Sequence, residues 1–389
     1  MTTAPKAANA FLEPRIKSID ILRGVVMVLM AIDHVRVYSG IPAGGKDYGI
    51  FFTRWVTHFC APSFVFLAGT SIFLYGKKLN SKGLLGRHLV MRGLLLVLLE
   101  LTVIRFFWTF NFDYSNFLLA GIIWMLGWCM VIMAALIWLK PVVVGVTGLA
   151  IIFLQQIFQF VPSLMPQSSQ KIAGYLWEFI YPAGLDALPG VSILYVLVPW
   201  IGVMAAGYGF GLVFSQDPKR RQRICIWTGL SAITLYIVIG TLLILKQPSS
   251  AQDLPFILKL LNQKKYPASQ LFLLMTLGPL IACMPLAEKA KGWFSNVLAT
   301  FGRVPLFYYI LHILLIHLGA LLTNYFKVGT ITSGWYATAP FVEIPPEHRW
   351  TLVLLYAEFM LNVILLYYLC RWFGTYKKAH PEKRWLKFL

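Results

Sequence analysis

Charge is scarce in this chain: Asp, Glu, Lys and Arg make up 13% of its 389 residues while 58% are hydrophobic. Soluble domains carry about 25% charged and roughly 45–50% apolar residues, so a water-soluble globular domain is excluded and a polytopic membrane protein is expected. Acid is scarcer still, with 15 Asp and Glu against 34 Lys and Arg, for a formal net charge of +19. In a soluble protein that excess would suggest nucleic acid, but membrane proteins gather Lys and Arg in cytoplasmic loops for topological reasons, and no nucleic-acid partner is expected. The five cysteines, Cys60, Cys129, Cys225, Cys283 and Cys370, stand singly with no CxxC; neither a disulfide framework nor a structural metal is expected. No HxxxH or HxH pair offers metal-ligand spacing. The GYGFG run at 207–211 lacks a preceding strand and lies inside an apolar stretch, which excludes a nucleotide loop. The opening residues MTTAPKAANAFLEPRIK are too polar for a signal peptide, so the first hydrophobic run is expected to stay as an anchor.

What is abundant is long apolar runs. Stretches near 20 residues predict an all-α, polytopic transmembrane bundle of ten spans, at about 19–39, 51–75, 89–107, 117–139, 141–160, 191–214, 224–245, 269–287, 301–323 and 350–373. Pro141 supports a tight hairpin between the fourth and fifth, because proline opens a helix but does not continue one. With the N-terminus inside, about two thirds of the Lys and Arg fall on the inner side, so both termini are expected in the cytoplasm. The expected layout is an inner segment 1–18, a transmembrane domain 19–373 and a basic inner tail 374–389. Three long outer loops, 161–190, 246–268 and 324–349, suit a substrate mouth. Gly202, Ala206, Gly207 and Gly211 predict close helix packing on the sixth span, and apolar faces on the sixth and tenth spans permit a homodimer.

The informative residues are the polar ones inside these spans. The run SIDILRGVVMVLMAIDHVRVYSG, 18–40, is long enough to cross a bilayer yet carries Asp20, Arg23, Asp33, His34 and Arg36. A charge at mid-bilayer costs roughly 2.5–3.5 kcal/mol, so such residues survive where they meet a partner, a substrate or a watery pocket. Arg23, Met27, Met30 and His34 fall on one stripe, with Arg23 and His34 about 16 Å apart along the axis. At similar outer depth stand Arg54 and His58, Glu100 and Arg105, His312 and His317, and Glu358 with Asn362. Plain structural roles are open for several: Glu100 pairing with Arg92 or Arg105, Arg36 and Arg105 anchoring at the interface, Arg54 snorkelling, Asp20 bridging to Arg23, and His312 or His317 acting as packing glue. The sharpest cluster is His34 with Asp33 and His58. A neutral imidazole removes a proton from an amine or hydroxyl as it attacks an acyl carbon, a carboxylate orients the ring, and histidine can also carry the acyl group itself.

The runs RIKSIDILRGVVMVLMAIDH, RWVTHFCAPSFVFLAGTSIFL, KYPASQLFLLMTLGP and GRVPLFYYILHILLIH together resemble the bacterial membrane family related to the heparan-α-glucosaminide N-acetyltransferase catalytic domain. Arg23 followed by His34 is similar to the spacing in membrane acyltransferases that O-acylate cell-surface glycans. The resemblance implies acetyl-coenzyme A, bound from the cytoplasm, as donor to an amino-sugar or sugar hydroxyl on the far side of the inner membrane. The lysosomal member places its catalytic histidine where this sequence has Gly44 and Gly45, so His34 rests on spacing and depth. The resulting expectation has His34, Asp33 and His58 as catalytic residues, Arg23, Met27 and Met30 along the donor path, and Arg54, His317 and Glu358 toward the acceptor. Buried His, Asp and Glu also build proton relays, so a proton-coupled sugar or small-molecule transporter is the alternative; no repeated half with paired broken helices supports it.

Overall fold

The computed structural model describes residues 16–387 apart from 45, 116, 183–189 and 249–253. Most of the expected inner segment 1–18, the tip of the tail, and parts of the loops 161–190 and 246–268 therefore lie outside the described residues. Helices dominate what remains. In chain order they are α1 Lys17–Ser39, α2 Tyr48–Trp55, α3 Cys60–Leu79, α4 Lys82–Leu99, α5 Arg105–Thr109, α6 Ile122–Leu136, α7 Pro141–Phe153 and α8 Gln167–Trp177. There follow α9 Leu197–Phe210, α10 Pro218–Leu245, α11 Phe256–Leu261, α12 Gln270–Lys289, α13 Trp293–Arg303, α14 Pro305–Val328 and α15 Leu352–Ala379. Two three-residue strands, β1 Leu118–Ala120 and β2 Val191–Ile193, pair in parallel.

Among the described residues, six helical runs are long and apolar enough to cross a membrane: 48–79, 197–215, 218–245, 270–289, 305–328 and 352–379. They correspond to six of the ten expected spans. The first expected span is α1, which carries too many charges to qualify on composition alone, and the third is α4 and α5 joined by a π-helical turn, Glu100–Ile104. The fourth and fifth are shorter than expected, at 15 and 13 residues. Strand β1 takes the start of one, and a 3-10 turn at Gln155–Phe160 closes the other. Pro141 and Pro305 both stand in the first turn of their helices, where a missing backbone N–H costs nothing. Pro305 also separates α13 from α14, so the ninth expected span begins four residues later than the apolar run suggests.

Neighbours bury most of α1 between Ser18 and Ser39, leaving Val25 exposed and Arg23, Asp33 and His34 partly so, the pattern of a helix near the centre of a bundle. It packs against α3, α12, α13, α14 and α15. Lipid is as apolar as leucine, so helices in a membrane associate through close packing more than through the hydrophobic effect. Small residues supply that closeness. A Cβ on Gly24 would sit 1.9 Å from the Leu298 carbonyl oxygen, and one on Gly302 would sit 1.9 Å from that of Asp20, so α1 and α13 meet backbone to backbone. Gly69 and Gly207 join α3 to α9, and Gly148 and Gly202 join α7 to α9 in the same way, as the small-residue spacing of 202–211 predicts.

Candidate active site

The last two turns of α1 form the floor of a cavity of about 620 Å³, a size within the roughly 300–1,000 Å³ usual for small-molecule sites. α1 stops at Gly40, whose φ of 73° is the left-handed conformation that caps a helix. The chain then turns along the cavity rim through Ile41, Pro42 and Ala43. Asp47 caps α2 by accepting from the Ile50 N–H at 2.7 Å, and the end of that helix presents Arg54. The 3-10 turn Val56–Phe59 then swings Thr57 and His58 to the same wall. The π turn presents Glu100, which accepts the backbone N–H groups of Ile123 and Trp124 at the start of α6. Lys265, Tyr266 and Tyr195 close another side, and Glu343 and Arg349 belong to the rim.

Arg105 is buried and spends its guanidinium on the carbonyl oxygens of Phe117, Asn111 and Asp113. It therefore pins the 110–117 loop and does not serve as an interfacial anchor. Trp108, held above α1, meets the His34 ring edge-on at 4.8 Å.

The arrangement around His34 fixes its tautomer. His312, on α14, is completely buried, and its Nδ1 lies 3.2 Å from the Tyr308 carbonyl oxygen. A carbonyl only accepts, so Nδ1 of His312 carries the proton and its Nε2 is bare. That Nε2 is 2.6 Å from His34 Nδ1. His34 must then donate through Nδ1–H, which leaves its own Nε2 with a lone pair. α14 is fixed for this contact by Tyr308, whose hydroxyl donates to the Met27 carbonyl at 3.1 Å. His34 is half-buried and lines the cavity.

The expected cluster is partly assembled. His34, Asp33, His58 and Arg54 line one cavity. Asp33, however, is not the group that orients His34. Its carboxylate oxygen accepts from Arg36 Nε at 3.1 Å and Nη2 at 2.9 Å, and His312 takes the orienting position. Met27 and Met30 are 0% and 4% exposed, buried in helix packing and absent from the cavity wall. Arg23 donates to the Leu67 carbonyl at 3.3 Å and to the Ser71 hydroxyl on α3. The stripe is real as a helix face, but neighbouring side chains fill it. His317 and Glu358 lie outside the cavity: His317 donates to the Phe107 carbonyl at 2.9 Å and stacks on Phe110, and Glu358 accepts from Asn362 at 2.9 Å. Among the described residues no three His, Cys, Asp or Glu side chains converge as a metal site.

His312 and Lys265 join this arrangement although neither belongs to the expected site set. The signal for His312 was an imidazole in an apolar helix, which helix glue explains equally well. Lys265 falls in the expected loop 246–268, yet its position just before the Tyr266-Pro267 turn brings it to the cavity wall. Burial opposes charge on Lys265, but Tyr195, Tyr266 and Asp33 more than offset this and raise its pKa above the ordinary lysine value.

Fold and cavity together define a helical membrane protein with a paired histidine set at the wall of a polar pocket. The chain belongs to the heparan-alpha-glucosaminide N-acetyltransferase catalytic family, whose model, described as "Heparan-alpha-glucosaminide N-acetyltransferase, catalytic", matches residues 15–246. Comparison with curated proteins gives no match. The matched stretch supplies His34, Arg54, His58 and Glu100, whereas Lys265 and His312 come from the remainder of the chain. The family makes this protein a transmembrane acetyltransferase in kind.

Proposed function

We propose that the protein transfers an acetyl or similar short acyl group from acyl-coenzyme A to an amino-sugar or sugar hydroxyl bound in the cavity, at the cytoplasmic membrane. The observation that carries this is the hydrogen-bonded chain from the Tyr308 carbonyl through His312 to His34, which leaves Nε2 of His34 unprotonated beside that cavity. In the reaction, Nε2 takes the proton from the acceptor nitrogen or oxygen as its lone pair attacks the thioester carbon. The C–S bond breaks, and the leaving thiolate collects the proton from His34 as the free thiol. Throughout, His312 holds the ring in one orientation, the part a carboxylate plays in many triads. A neutral partner stabilises the transient imidazolium less than a carboxylate would, and Asp33, one residue away on α1, is the nearest anion in sequence.

Purified protein given acetyl-coenzyme A and glucosamine is expected to release coenzyme A thiol and form the acetylated sugar. Movement of unmodified sugar across proteoliposomes, with no thiol released, would instead establish the transporter.

A further inference from the structure

Three basic side chains of the cavity wall have work left undone by the account above. The Arg54 guanidinium, half-buried, makes no hydrogen bond or ion pair with the protein among the described residues. Lys265 hydrogen-bonds the neighbouring Tyr266 side chain and lies against the ring faces of Tyr266 and Tyr195, with Nζ 5.2 Å and 5.9 Å from the centroids, but it forms no salt bridge among the described residues. His58 is 2% exposed, its ring meets Phe272 edge-on, and neither of its nitrogens has a partner. A buried polar group without a partner costs about 1–3 kcal/mol, so a set of donors left open in one wall points to a ligand that completes them.

The carboxylates nearby do not fill that role. Asp33 is taken by Arg36, and Glu100 accepts backbone N–H groups at the start of α6 while its Oε2 is buried without a partner. That oxygen and Glu343 remain, against the cations Arg54, Lys265 and the rim residue Arg349. The wall therefore offers cations and N–H donors in excess of the acid that could satisfy them. Arginine presents a planar fork that fits the oxygens of a phosphate, sulfate or carboxylate, and lysine adds a point charge.

We propose that Arg54, His58 and Lys265 form an anion-binding subsite in the same cavity as His34, which takes a phosphate, sulfate or carboxylate group carried by the acceptor or by the coenzyme. Naming these two carriers rests on the acyl-transfer reading; the subsite itself rests on the geometry. Bound there, an anionic group would fix the rest of its molecule with respect to His34.

The test is ligand-detected NMR on the full-length protein in nanodiscs, with glucosamine, glucosamine 6-phosphate and coenzyme A as probes, for the wild type, R54Q and K265M. If the acceptor carries the anion, glucosamine 6-phosphate binds about tenfold or more tightly than glucosamine. That preference is lost in both variants while coenzyme A binds as before. If the coenzyme carries it, coenzyme A weakens by a similar factor in both variants and the two sugars bind alike. Either result supports the subsite and names its source. Retained anion affinity in R54K and K265R, beside its loss in R54Q and K265M, excludes a general effect on folding. Unchanged binding of every anionic probe in R54Q and K265M overturns the subsite. Acetyl-coenzyme A turnover in the same preparations separates the two conclusions: turnover without anion dependence removes the subsite alone, and anion dependence without turnover removes acetyl transfer alone.

Discussion

His34 has two ring nitrogens, and its chemistry depends on which one is occupied. With Nδ1–H committed to His312, the remaining nitrogen is a base by default. His34→Gln keeps a side chain that hydrogen-bonds but cannot accept the proton, and transfer should fall by about 10²–10⁴-fold. Thiol release with acetyl-coenzyme A measures it, with an unchanged melting temperature as the control; wild-type rates would remove His34 from the reaction. His312→Phe leaves the His34 Nδ1–H without an acceptor and frees the ring to turn. Its expected signature is a drop in kcat of about 10²-fold at nearly constant donor affinity, since the orienting member of such a relay acts on the chemical step. Equal losses in kcat and donor affinity would mark His312 as a packing residue. His34 itself was legible because a histidine beside an aspartate in an apolar run is costly and therefore informative. His312 was not, because the wheel of one helix says which residues share a face but not which neighbour that face meets.

At the scale of the helix, the glycine seams decide how close the elements come. α13 reaches α1 through Gly302 and Gly24, each facing the other helix's backbone oxygen at 1.9 Å from where a Cβ would stand. Gly302→Ala or Gly24→Ala must push the pair apart, at a cost of about 1–3 kcal/mol for overpacking, read as a lower melting temperature in detergent. The neighbouring Gly292, whose Cβ would meet nothing within 4 Å but whose φ is +89°, should respond through backbone strain alone. Unaltered stability in both seam variants would show that the helices are not in register as described. The small residues of 202–211 could be recognised by their spacing. The α1–α13 seam could not, because Trp293–Arg303 is too short to stand out as a span and Gly24 has no small partner at regular spacing. The same limit explains the span lengths: runs of apolar residues locate helices, but the strands at 118–120 and 191–193 arise from pairing between segments some 70 residues apart, which no local window contains.

For the whole molecule, the charge balance of the loops predicts both termini in the cytoplasm. A C-terminal tag should be reached by reagents only from the cytoplasmic face, and acetyl-coenzyme A should support transfer only when supplied there. Transfer from donor added at the opposite face would place the coenzyme in the cavity mouth, whose cations Arg36, Arg54, Lys265 and Arg349 could receive its phosphates. Delivery from the cytoplasmic face asks the packed side chains between Arg23 and His34 to part. The rim residues Glu343 and Arg349 come from the stretch 324–349, which length and composition single out as a long loop. Which loop residues face inward depends on how the chain returns over the bundle, as Lys265 illustrates.

The bond between His34 and His312 also sets a clock on biosynthesis. One imidazole leaves the ribosome near the beginning and its mate almost three hundred residues later, so a nascent polypeptide already threaded through its early helices lacks this contact. Only when the penultimate long helix slots against the first can the two rings meet.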